Sequence, residues 1–123
     1  AATVFESFKL GRAAVSAGAY DVRDAQANII KIQLSKIIGY KSVDYLNGYM
    51  SKMTAGNTAD AFHALSEGYG FIMSLQFTND GNENPYFTKT EVDAMLSKMA
   101  DFWTVSNTDL SAMVSDITIK MNL

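Results

Sequence analysis

VRDAQANIIKIQLSKIIGYKSVDYLNGYMSKM, Val22–Met53, is the stretch whose reading decides the fold. No part of it alternates at period two. Ile30, Leu34, Ile37 and Ile38 fall at helical spacing along one stripe, and Ile29, Ile32, Val43, Leu46 and Met50 along a second. A helix with two apolar stripes needs neighbours on more than one side, so this segment is expected to be one long central helix with the others packed around it. Asp21 stands where an N-cap belongs, with Asp24 at N3 facing the helix dipole. Gly39 and Gly48 are the places where the helix is expected to bend or break.

Outward from this segment the same period recurs. Before it, Phe5, Phe8, Arg12 and Val15 lie along one face of a helix over about Thr3–Ala17, and Gly18 is its stop. After it, Thr54–Asp60 (TAGNTAD) is a break, with Asn57 as the next cap and Asp60 at N3. The third helix carries AFHALSEGYGFIMSLQF, Ala61–Phe77, and its apolar character predicts deep burial. A fourth places Val92, Met95, Leu96, Met99 and Trp103 on one buried face. Ser106 caps a fifth, with Leu110, Met113, Val114 and Ile117 facing inward. The expectation is a single all-α domain over residues 1–123, a helical bundle of about five helices with one long central helix.

At 123 residues and 48% hydrophobic content, the chain is long enough to bury a core. No apolar run reaches bilayer length. Thirteen acidic and ten basic residues give a net charge of −3, which argues against nucleic acid as a partner and gives no reason to expect an anionic membrane. Cysteine is absent, which removes disulfides, thiolate catalysis and cysteine-ligated zinc.

Two places hold residues that can do chemistry. His63, the one histidine, precedes Glu67 by four residues, on the same helix face, with Ser66 nearby. On so apolar a helix the pair is expected inside the bundle, hydrogen-bonded to another helix or holding a ligand. No second base, nucleophile or ligand set accompanies it, so an enzyme is the weaker reading. Gly68 and Gly70 flank Tyr69, and each glycine costs about 1 kcal/mol inside a helix. Close approach of another helix, or a ligand pressed on the backbone, has to offset that cost. Methionine, with seven residues, is read as core filler.

The second place is DGNENPYFTKTE, Asp80–Glu91. Counted from Asp80, residues Asn82, Asn84, Thr88 and Glu91 fall at the ligand positions of an EF-hand loop, and the Tyr86 carbonyl falls at the seventh. Position six of such a loop needs positive φ, and Pro85 cannot supply it. The alternative is a turn begun by Asn84-Pro85 and a capping box, in which Thr88 caps the fourth helix and Glu91 reaches back to it. Calcium binding is therefore the alternative reading of this loop.

GRAAVSAGAYDVRDAQANII, KSVDYLNG and FHALSEGYGFIMSLQF together resemble the C-terminal part of a family of bacterial cell-envelope lipoproteins, the domain of unknown function numbered 4856, which is similar to the imelysin-like helical proteins. The likeness runs from about Gly11 to Trp103. It implies an all-helical fold, export to the periplasm or outer membrane, and a preceding N-terminal half with a lipobox cysteine, which would be the partner of this part. Imelysin-like proteins carry glycine, histidine and then glutamate three residues on, and are associated with iron uptake. The matching positions here hold Ala61, His63 and Ser66, with Glu67 one residue late. The expected function is a non-catalytic domain that binds a partner or ligand, linked to iron or nutrient uptake.

Overall fold

The computed structural model describes residues 2–123, and these contain five α-helices, one turn of 3-10 helix and no strand. The helices are α1 (Ala2–Ala17), α2 (Tyr20–Thr54), α3 (Thr58–Ser74), α4 (Lys89–Lys98) and α5 (Asn107–Met121), and the 3-10 turn, Leu75–Phe77, prolongs α3. The all-α bundle with a long central helix is as expected. At 35 residues, α2 reaches about 50 Å at 1.5 Å per residue.

Tight reversals make the first three helices antiparallel. Gly18 takes φ 70°, its N–H meets the Val15 carbonyl at 3.2 Å, and the Ala19 N–H meets the Ala14 carbonyl at 2.9 Å. This is a Schellman stop, which a residue with a Cβ enters at a cost. Gly56, with φ 76°, repeats it after α2: the Asn57 N–H reaches the Lys52 carbonyl at 2.9 Å. Tertiary packing then adds α3 and α5 along one flank of α2, while α4 lies on α3. The core fills that flank: Leu46, Leu65, Ile72, Leu75, Leu110 and Ile117 are fully buried.

Several local expectations change. Helix α2 begins at Tyr20 behind an uncapped Ala19, so Asp21 sits inside the first turn and serves the dipole instead of capping it. It runs unbroken through Gly39 and Gly48. Asn57 holds the N-cap position of α3 but donates its amide to Asp60 Oδ2 at 2.7 Å and makes no cap bond to the backbone. Helix α4 ends at Lys98. There the Asp101 carboxylate accepts the Trp103 N–H at 3.0 Å, a side-chain turn that competes with the helix. Trp103 therefore leaves the predicted buried face. It is 80% exposed and stands edge-on to Phe62, with ring centroids 4.6 Å apart.

The rotation of α1 is settled by packing. The one face along which Phe5, Phe8, Arg12 and Val15 lie points outward. Its buried residues are Ser7 and Ala14, with Gly11 between them close enough that a Cβ there would lie 3.6 Å from Gln26 Cβ. Small side chains let two helix backbones approach closely, and that approach turns the large ones away. Helix α1 packs on α2 and on little else. Leu34 and Ile37, from the first predicted stripe of α2, consequently remain half exposed.

Candidate functional site

Helix α3 places His63, Ser66, Glu67 and Gly70 on its solvent side and Gly68 on its buried side. The expectation that His63 and Glu67 lie inside the bundle is thus overturned. Their helix is apolar, but its core face is made by Ala61, Ala64, Leu65, Gly68 and Ile72. These positions share one stripe, and His63 and Glu67 fall off it. Ser66, Glu67 and Gly70 line, with Phe71 and Ser74, a shallow groove of about 240 Å³. His63 is not part of that groove. The two glycines separate: a Cβ on Gly68 would meet Leu46 Cδ2 and Tyr45 Cβ at 3.4 Å, so this position serves the α2–α3 approach, whereas Gly70 faces open space. Nothing in the structure explains Gly70.

The Asp80–Glu91 loop is built from its own side chains. Asp80 Oδ1 accepts the N–H of Asn82 at 2.7 Å and of Asn84 at 3.3 Å. The Asn82 N–H is the main reason the Asp80 carboxyl lies below its usual range. Positive φ falls at Gly81 (93°) and Glu83 (64°), not at the sixth loop position, Pro85. Thr88 and Glu91 form the capping box: Thr88 Oγ1 accepts the Glu91 N–H at 3.3 Å, and Glu91 Oε2 accepts the Thr88 N–H at 2.7 Å. The other oxygen of Glu91 takes an ion pair from Lys120. The Lys120 ammonium, then the Thr88 N–H and hydroxyl, hold the Glu91 carboxyl at about 2 against an ordinary 4.5. Both acidic ends of the loop are therefore committed to protein donors. No three His, Asp or Glu side chains gather into a metal-holding group among the described residues.

The loop is also anchored. The Asn79 N–H donates to Ser35 Oγ of α2 at 2.7 Å, and Thr78 Oγ1 accepts the Tyr86 N–H at 3.1 Å. Partial burial raises the pKa of Tyr86.

Two concave surfaces escape a reading of the sequence. One is a cleft of about 410 Å³ between α4 and α5, floored by Phe87, Met95 and Met113. The Glu91–Lys120 and Lys98–Asp109 ion pairs tie its two helices together. The other is the outer side of the α1/α2 hairpin. There two depressions of about 680 and 310 Å³ share Phe8 as a common wall. The signal for it was present as the Phe5–Val15 stripe, but periodicity marks an apolar face without saying what covers it.

Fold and surfaces together define an all-α bundle that carries an open apolar groove. The chain belongs to the family described as Domain of unknown function (DUF4856), whose model matches residues 1–123. No curated protein and no solved structure matches it. No helix among the described residues is long and apolar enough to cross a membrane.

Proposed function

We propose that the chain is a non-catalytic binding domain of a bacterial cell-envelope protein and that it engages a protein partner through the outer face of the α1/α2 hairpin. One observation carries the reading. Phe5 and Phe8 are 62% and 60% exposed, next to Leu34, Ile37 and Tyr40 at 51–52%, while α1 buries only small residues. Three half-open aromatics and two aliphatics present about 500 Å² of apolar surface, the upper range for a monomer and typical of an interaction site. The envelope location, the link to iron or nutrient uptake and the imelysin-like relationship rest on the resemblance alone. That resemblance also supplies a first partner, the preceding N-terminal half of the same polypeptide.

Hydrogen exchange of the whole natural polypeptide, compared with residues 1–123 alone, tests this. Slower exchange at α1 and at residues 30–40 in the longer protein is expected. Equal rates there would leave the N-terminal half without a role on this face.

A further inference from the structure

The α1/α2 groove has a chemistry of its own. Residues 1–54 carry seven Lys and Arg against four Asp and Glu, a net +3, whereas residues 55–123 carry three against nine, a net −6. The basic excess reaches the groove. Arg12 and Arg23 line its smaller depression and Lys36 its larger one. Arg23 is paired with Asp24 at 2.7 Å. Arg12 makes no ion pair among the described residues, and the Lys36 ammonium rests on a neutral acceptor, the Asn122 carbonyl, at 2.7 Å. Two cationic heads thus border apolar walls without a carboxylate to answer them.

The shape is equally informative. From Arg23 to Tyr40 the groove follows α2 for about 25 Å, close to five helical turns. Phe8 stands on one wall, Leu34 and Ile37 on the other. An amphipathic helix laid in such a groove places apolar side chains between the walls at every third or fourth residue and its polar flanks over the rims.

We propose that the α1/α2 groove receives an amphipathic helix of a protein partner whose flanks are acidic. This rests on the hairpin face being the binding surface, as proposed above, and adds the identity of what binds. The charges decide against a symmetric dimer through this face, which would set the Arg12 and Lys36 cations of one copy against those of the other. Acidic flanks answer Arg12 and Lys36, and the association should weaken as salt rises.

Two synthetic helical peptides test the inference. Both carry the same leucine stripe at helical spacing, one flanked by Glu and the other by Lys. Their binding to residues 1–123 is measured by fluorescence anisotropy at low and high salt. Anionic phosphatidylglycerol vesicles and sedimentation equilibrium run alongside, and circular dichroism checks that each variant folds. The Glu peptide is expected to bind at least about tenfold more tightly than the Lys peptide, the contribution of one or two desolvated charge contacts. Raised salt should narrow that gap, R12E should remove most of it, and the double variant F8S/I37S should abolish binding. Equal affinity for both peptides overturns the inference, and so does binding of neither. Vesicle binding or dimerisation that needs Phe8 and Ile37, without peptide binding, overturns the acidic helix while keeping the face. If F8S/I37S changes nothing in any arm, the face itself falls.

Discussion

At the scale of single residues, Glu91 is where the two readings of the Asp80–Glu91 loop part. As a calcium ligand it would need a free carboxylate, yet its two oxygens serve Thr88 and Lys120. Thr88→Ala should cost about 1 kcal/mol in urea unfolding, the usual effect of losing an N-cap. Added calcium should leave the melting temperature of the natural sequence unchanged, whereas a bound ion would raise it with concentration. Acid provides a second measure. Glu91 has a folded pKa of about 2, below its ordinary 4.5, so its contribution is complete above pH 4.5 and fades as pH falls toward 2. The side chain is 43% exposed, and solvent screening reduces that contribution to about 1 kcal/mol. Unfolding curves for Glu91→Gln should therefore lose that part of the acid-induced decline. His63 gives the opposite expectation. Exposed and away from the core stripe, it should tolerate alanine within about 0.5 kcal/mol, and a loss of several kcal/mol on His63→Ala would contradict its placement.

Among the elements, the helical glycines divide by what a methyl group would meet. At Gly39 of α2 a Cβ would sit 2.6 Å from Met121 Sδ and 3.1 Å from Leu123 Cδ1. Met121 is a flexible side chain but is 1% exposed, so it has nowhere to swing. Overpacking of this kind costs about 1–3 kcal/mol and outweighs the gain of about 1 kcal/mol in helix propensity. Gly39→Ala should destabilise the protein. Gly70→Ala, with nothing within 4 Å of its Cβ, should stabilise it by up to about 1 kcal/mol. Paired thermal melts decide both signs. The capping of α4 and α5 was legible in their letters, because Thr88 and Ser106 sit one residue outside each helix and accept an N3 backbone N–H. The end of α4 was not, because the Met95-Met99-Trp103 spacing continues past the turn that Asp101 imposes.

For the molecule as a whole, stability is distributed unevenly. Helices α2, α3 and α5 share the closed core, while α1 holds to α2 through Ser7, Gly11 and Ala14 and leaves its aromatics outside. Small side chains bury little apolar area, at about 25 cal/mol per Å². Helix α1 should accordingly be the first helix to open. Hydrogen exchange of the isolated chain is expected to be faster across residues 2–17 than across α3 or the second half of α2. Protection of α1 equal to that of α3 would show that its packing on α2 is stronger than its small side chains suggest.

The period of the apolar residues determined, without any tertiary information, that this chain is all-helical, that it has five helices and that one of them is long. That much is local: the 3.6-residue repeat, the glycine stops at Gly18 and Gly56 and the Ser and Thr caps act within a few residues of themselves. The side each helix turns inward was decided only by packing. Periodicity gives the angle between residues on a helix and leaves its rotation against the neighbours open. Ser7, Gly11 and Ala14 resolved that rotation for α1 in favour of close backbone approach, which sent Phe5, Phe8 and Val15 to the surface. The same freedom took His63 and Glu67 out of the expected interior. An amphipathic stripe is written in one segment of chain, but what covers it belongs to another, and here the neighbour that reached α1 needed small side chains.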